Sequence, residues 1–261
     1  MYHFSNAKNL FRVCKRQNPK KSYSLVFTFT LFLCSCISQS EQKTISKIFK
    51  EDDVRKAGKL LQSLPMGLTL LNGTNNQADT VFVAVHGYAS EGYEWIKPLR
   101  KIMQKGFQLY YYRWDWNTCP DYAEGKLLAI LEDLIVDKSR IDHLNIVGHS
   151  YGGTLVAGLA DETTAITMSI HTVAAPMIPY ERLMNRCANF SGYENMTIAN
   201  DLFQWRTVKE KDGAFKNMVV DPQIVNIPNS TVIELPPQFQ DGRRLGHNWS
   251  ISWVIDNIFE D

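Results

Sequence analysis

From residue 80 to its end the sequence alternates short apolar runs with stretches of helical spacing. That alternation constrains the fold more than any other feature. "TVFVAVHG" (80–87) is nearly continuous in apolar residues, which fits a strand buried on both faces. Helical spacing follows at 93–104, through Trp95, Leu99, Ile102 and Met103. "FQLYYYRW" (107–114) is the next strand and 122–136 the next helix. "LNIVGHS" (144–150) is a strand, and 152–160 a helix. Strands at 166–175, 202–208 and 231–235 follow, and 247–259 closes the chain as a helix. This order predicts an α/β fold with a mostly parallel central sheet flanked by helices. A chain of 261 residues, 44% of them apolar, suits one domain with a large core.

Before residue 80 the pattern is different. Ile45, Ile48, Phe49, Val54, Ala57, Leu60, Leu61 and Leu64 fall at helical spacing, so 43–64 reads as one N-terminal amphipathic helix. "NGTNNQAD" (72–79) is turn chemistry. Early strands have little room, since "MGLTLLN" (66–72) is all that is left for them, so the sheet is expected to be truncated on that side.

The first 35 residues have the layout of a targeting segment. They carry six basic residues and no acidic ones, so the remainder of the chain is net negative. That remainder holds no basic tract of the kind that attracts nucleic acid. The apolar run Leu25–Leu33 is too short to cross a bilayer as a helix, which takes about 20 residues. It has the length of a signal-peptide core. The following "LCSC" resembles a bacterial lipobox, with Leu33 three positions before Cys36 and small Ser35 just before it. The resemblance implies cleavage before Cys36, acylation of that cysteine and a membrane anchor, in the outer membrane if the source is Gram-negative, since Ile37 follows. A plain signal peptide and an uncleaved anchor are the alternatives. The expected organisation is thus a signal peptide over 1–35, a polar tether over 36–42 and one domain over 43–261. Cys119 and Cys187 remain in the body; spacing leaves open whether they pair or stay as buried thiols.

The stretch "LNIVGHSYGGTL" (144–155) runs from a strand through Gly148-His149-Ser150-Tyr151-Gly152 into a helix. A turn this sharp leaves no room for side chains at Gly148 and Gly152, and it lifts the Ser150 hydroxyl above the sheet at a helix N-terminus. The pattern resembles the nucleophile elbow of the α/β-hydrolase superfamily, in particular its lipase and esterase branches. The resemblance covers roughly 80–258. It implies acyl transfer from an ester to water, needs no cofactor, and names a small ester or lipid as substrate. A serine at this place argues against the dehalogenase and epoxide-hydrolase branches, which use aspartate.

A serine hydroxyl needs a base within hydrogen-bond reach. In the resembled superfamily the order along the chain is Ser, then Asp or Glu, then His. Two histidines follow Ser150. His171 lies mid-strand and reads as a core residue. His247, in "LGHNWS" after the last strand, is the candidate base. The acid belongs on the loop after the next-to-last strand, where "QWRTVKEKDGAF" offers Asp212; Glu210, Asp221 and Asp201 compete. His-Gly-Tyr at 86–88 resembles the oxyanion loop of lipases and esterases. The implied donors are the backbone N–H groups of Tyr88 and Tyr151, with Gly87 allowing close approach and His86 ordering the loop. Trp114 and Trp116, at the end of a strand, are candidates to line a pocket. About 26 residues separate Ala175 from Leu202, enough for a short lid. Thioester or amide hydrolysis, acyl transfer to another acceptor, and a non-catalytic binding protein on the same fold are the alternative functions.

Overall fold

The computed structural model describes residues 38–259 except 73–78 and 139. The targeting segment, Cys36 included, lies outside the described residues. The chain divides into two units, residues 1–44 and 45–261. In the first, Ser38 and Glu41 cap a helix reciprocally. The Ser38 N–H donates to Glu41 Oε2 at 2.8 Å, and the Glu41 N–H donates to Ser38 Oγ at 3.2 Å. Helix α1 therefore starts at Gln39 and runs Gln39–Lys50. It takes in most of the segment expected to be a polar tether.

The single helix expected over 43–64 is two. Asp53 is extended and its Oδ1 accepts from the N–H groups of Arg55 at 2.9 Å and Lys56 at 3.3 Å. Such a cap starts a new helix, α2 (Val54–Gln62), and stops the old one. The apolar phase survives the break: Ile48, Ala57 and Leu61 are all fully buried.

Seven strands form one sheet: β1 (Gly67–Leu70), β2 (Thr80–Val85), β3 (Gln108–Arg113), β4 (His143–His149), β5 (Thr167–Val173), β6 (Asp201–Arg206) and β7 (Thr231–Glu234). Their order across the sheet is β1-β3-β2-β4-β5-β6-β7. All neighbours are parallel except β1, which runs antiparallel to β3. One short strand from "MGLTLLN" thus closes the truncated side. The helices after α2 are α3 (Tyr93–Gln104), α4 (Pro120–Asp137), α5 (Tyr151–Ala157), α6 (Glu181–Met184) and α7 (Gly246–Asn257).

Strand alternation sorts side chains between the two faces of the sheet. Val81, Val83, Val85, Tyr110, Tyr112, Leu144 and Ile146 join Leu127, Leu131 and Leu155 of α4 and α5 in one core. Helices α3 and α7 pack against one another, α3 on β3 and α7 on β5. Cys119 and Cys187 form a disulfide, which settles the open pairing and fastens the segment after α6 to the start of α4. No described helix is long and apolar enough to cross a membrane.

The chain moves outward from β2 to β3 and then returns to β4 on the other side of β2. Strand order therefore reverses between β2 and β4. In parallel sheets the crevice at the carboxyl ends of such a pair is left open by the diverging connections. Residues 86–88 follow one strand of that pair, and Ser150 follows the other.

Candidate active site

Ser150 is held in a backbone conformation that few non-glycine residues adopt, φ 53° and ψ −125°. Its N–H donates to the Val173 carbonyl at 2.8 Å, and its carbonyl accepts from the N–H groups of Gly153 and Thr154. Neighbouring glycines make the turn possible. A Cβ on Gly148 would stand 2.4 Å from the Gly152 carbonyl oxygen, and one on Gly152 would stand 2.4 Å from that of His86. Gly87 brings the 86–88 loop in close: a Cβ there would lie 2.9 Å from the Ser150 Cβ.

His86 orders this loop and is fully buried. Its Nδ1–H donates to the Gly87 carbonyl at 2.9 Å, and its Nε2 accepts from the Trp114 N–H at 3.2 Å. Burial pushes its pKa down to about 4, so the ring is neutral and this tautomer is fixed.

Trp114 is buried. Its Nε1–H donates to the His86 carbonyl at 2.8 Å, and its ring lies 5.2 Å from that of Tyr151, beneath the loop. Trp116 is half-buried, with its ring against His86 and Tyr88. Neither tryptophan lines the cleft beside Ser150. The Tyr88 ring is covered by Arg182 of α6, 4.2 Å from its centroid, so the short 176–200 segment reaches the loop.

His247 and Asp212, far apart in sequence, come together. His247 Nδ1–H donates to Asp212 Oδ2 at 2.9 Å, which leaves Nε2 as the free ring nitrogen. Asp212 is completely buried. Its Oδ2 also accepts from the Thr207 hydroxyl at 2.5 Å, and its Oδ1 accepts from the N–H groups of Ala214 at 2.8 Å and Phe215 at 3.3 Å. Burial by itself raises the Asp212 pKa. The hydrogen bonds and charge of His247, with those of Thr207 and Ala214, outweigh it and hold the carboxyl below its usual range. Gln223 steadies Thr207 from behind, accepting its N–H and donating to its carbonyl.

The competing acids stand elsewhere. Glu210 is exposed, Asp201 is exposed at the opening end of β6, and Asp221 accepts from Gln223. His171 lies in the core, stacked on Phe203 with ring centroids 4.7 Å apart and accepting from Trp205 Nε1 at 3.1 Å.

Sequence reasoning gave no role to His149 or Thr207. The His149 ring lies 4.8 Å from that of His247, and its Nε2–H donates to the His247 carbonyl at 3.1 Å. Burial, then the neighbouring His247 charge, push its pKa down to about 3, so it serves as a neutral donor. Ser150, His149 and His247 line one cleft of about 160 Å³ together with the 87–91 loop, Tyr93, Glu94 and Asn248.

Away from this cleft, Glu124, Asp161 and Glu162 gather their carboxyl oxygens within 4.8 Å of one another. Burial and the negative charges of Asp161, Glu162 and Asp121 push Glu124 up to about 7, so crowding there is relieved by a proton.

The model of the α/β hydrolase fold family matches residues 80–211, from β2 to the turn before Asp212. The chain belongs to this family. No sequence among the curated proteins matches it. Among solved structures, this α/β hydrolase is similar to a predicted thioesterase from a Silicibacter species, with a TM-score of 0.50 and 17% identity over 82% of this chain and 87% of that one. It is also similar to the esterase Pf2001 of Pyrococcus furiosus, with a TM-score of 0.49 and 15% identity over 70% and 80% of the two chains. A third is the esterase domain of a Rhodothermus marinus protein, with a TM-score of 0.47 and 15% identity over 73% and 88%. At such identities the likeness is one of fold.

Proposed function

We propose that the chain is a serine hydrolase that cleaves small carboxylic esters through an acyl-enzyme. The observation that carries this reading is the Asp212–His247 hydrogen bond, in a cleft shared with a serine at a positive φ. His247 Nε2 takes the proton of the Ser150 hydroxyl as its oxygen attacks the ester carbonyl carbon. The tetrahedral oxyanion is received by the N–H groups of Tyr88 and Tyr151. His247 then gives its proton to the departing alkoxide oxygen, and the C–O bond breaks. Water repeats the sequence on the acyl-serine and releases the acid. Asp212 keeps the imidazole in the correct tautomer and stabilises its charged form.

The test is turnover of p-nitrophenyl acetate and longer acyl esters beside a thioester and an anilide. Esters are expected to be the best substrates, and Ser150→Ala to lose about 10⁴- to 10⁶-fold in kcat. Equal turnover by Ser150→Ala would defeat the reading.

The protein is further proposed to be exported and held at a membrane by a lipid on Cys36. The layout of the leader and the Cys119–Cys187 disulfide, which suits an oxidising compartment, support this. Labelled palmitate is expected to enter the wild type and not Cys36→Ala; equal labelling would rule the anchor out.

A further inference from the structure

The cleft holds a polar group that the acyl-transfer steps leave unused. Glu94, in the first turn of α3, is 3% exposed and lines the cleft with Ser90, Tyr93 and Asn248. Helix α2 packs closely on the start of α3: a Cβ on Gly58 would stand 2.4 Å from the Tyr93 nitrogen. That approach brings Gln62 to Ser90 and Tyr111.

The protons of this cluster can be counted. Gln62 Nε2 gives one to Ser90 Oγ at 3.0 Å and the other to Tyr111 Oη at 2.9 Å. Ser90 Oγ also accepts from the Gly92 N–H at 3.1 Å. Both lone pairs of the serine are then occupied, and its single proton goes to Glu94 Oε1. Glu94 Oε2 is buried and has no hydrogen-bond partner among the described residues. Burial raises the Glu94 pKa, against the pull of the Ser90 hydrogen bond. An unpaired buried carboxyl oxygen is costly, and a site built around one discriminates strongly for ligands that pair with it.

The rest of the wall says what such a ligand is. Ala89 contributes the one aliphatic side chain among the lining residues, and beside it only Tyr88 and Tyr93 add apolar surface, so a long acyl chain finds little to bury itself against there. The volume of about 160 Å³ is well below the roughly 300–1,000 Å³ of ordinary ligand pockets and suits a group of a few heavy atoms. A second groove shares Ser90 and Glu91 with the cleft and continues past Arg55, Lys59, Gln62 and Ser63.

We propose that Glu94 is a specificity-determining residue whose Oε2 pairs with a hydroxyl group on the ester, so that hydroxylated small esters are cleaved in preference to plain alkyl ones. This rests on Ser150 being the nucleophile. A hydroxyl both donates and accepts, so it pairs with either form of the carboxyl. The hydroxyl can sit on the alcohol or on the acyl side, and the test has an arm for each.

The experiment compares kcat/KM for ethyl butyrate, 2-hydroxyethyl butyrate and ethyl 3-hydroxybutyrate in the wild type, Glu94→Met and Glu94→Gln. Each protein is also labelled at Ser150 with a fluorophosphonate. The wild type is expected to favour one hydroxylated ester about tenfold over ethyl butyrate. In Glu94→Met that ratio falls to about one, and in Glu94→Gln, which keeps a donor and an acceptor, most of it remains. A wild type that is labelled but shows no preference would overturn the proposal. So would a Glu94→Met variant that loses all three activities in proportion, because that is the signature of a structural role. A folded wild type that is not labelled would instead defeat the serine reading itself.

Discussion

At the scale of single residues, Ser150 concentrates the tension between stability and chemistry. A side chain at φ 53° costs conformational energy that the surrounding glycines and hydrogen bonds offset. Ser150→Gly removes the Cβ and the hydroxyl proposed as nucleophile together. It is expected to abolish ester turnover while raising the unfolding free energy by about 1 kcal/mol, read from urea denaturation. A less stable variant would show that the elbow is not strained. The elbow was legible in the sequence because Gly148 and Gly152 are required by close approach, which leaves its mark on residue type. His247 and Asp212 were legible through their order along the chain. Thr207 carried no such mark: a hydroxyl five residues before an aspartate is commonplace, and the packing of Gln223 behind it decides its role. Glu94 left a faint signal, an acid one residue from buried Trp95 and one turn before buried Pro98. Trp114 was readable too, since it continues the alternation of Tyr110 and Tyr112 into the same core.

At the scale of elements, most strands and helices announced themselves by period, whereas their joints did not. The break between α1 and α2 falls inside one continuous apolar phase, and Asp53 makes it by capping rather than by any change in hydrophobicity. Likewise "SQSE" at 38–41 is polar enough to read as a tether, yet its Ser38–Glu41 pair opens a helix. The disulfide was invisible because its cysteines lie 68 residues apart and meet where the 176–200 segment lies on the β3–α4 connection, as Arg186 donating to Asn117 also shows. It links that segment to the end of the β3–α4 connection and restrains the unfolded chain. The variant with both Cys119→Ser and Cys187→Ser is expected to lose about 2–4 kcal/mol of stability. Dithiothreitol should reproduce that loss in the wild type and leave the variant unmoved. Identical midpoints with and without reductant would contradict the pairing.

At the scale of the whole molecule, buried ionisable groups set the response to acid. Burial holds His86 at about 4 and His149 and His171 at about 3, all below the ordinary 6.5. The unfolded chain therefore binds three protons that the native state refuses as pH falls below 6.5, which lowers stability. Glu94 and Glu124 act in the opposite sense, since burial raises both above the usual 4.5 and the native state keeps their protons longer. Glu124, held near 7, cancels one of the three histidine protons and Glu94 offsets the rest only in part, so stability falls as pH drops from 6.5 to 4.5. Below 4.5 the carboxyls of the unfolded chain are protonated as well and the opposition ends. Asp212, held below its usual range, then adds to the loss. The melting temperature is expected to decline gently from pH 6.5 to 4.5 and steeply below. A flat profile to pH 4 would show that the histidines are not held neutral.

The central claim is that the fold converges Ser150, His247 and Asp212 into an activated nucleophile. It is tested most directly by treating folded protein from Ser38 onward with a fluorescent fluorophosphonate and mapping the adduct by mass. The account predicts one adduct, on the peptide carrying Ser150. It should be absent in Ser150→Ala and slowed by orders of magnitude in His247→Ala and Asp212→Ala. A folded wild type that stays unlabelled, or an adduct that survives Ser150→Ala, would contradict it.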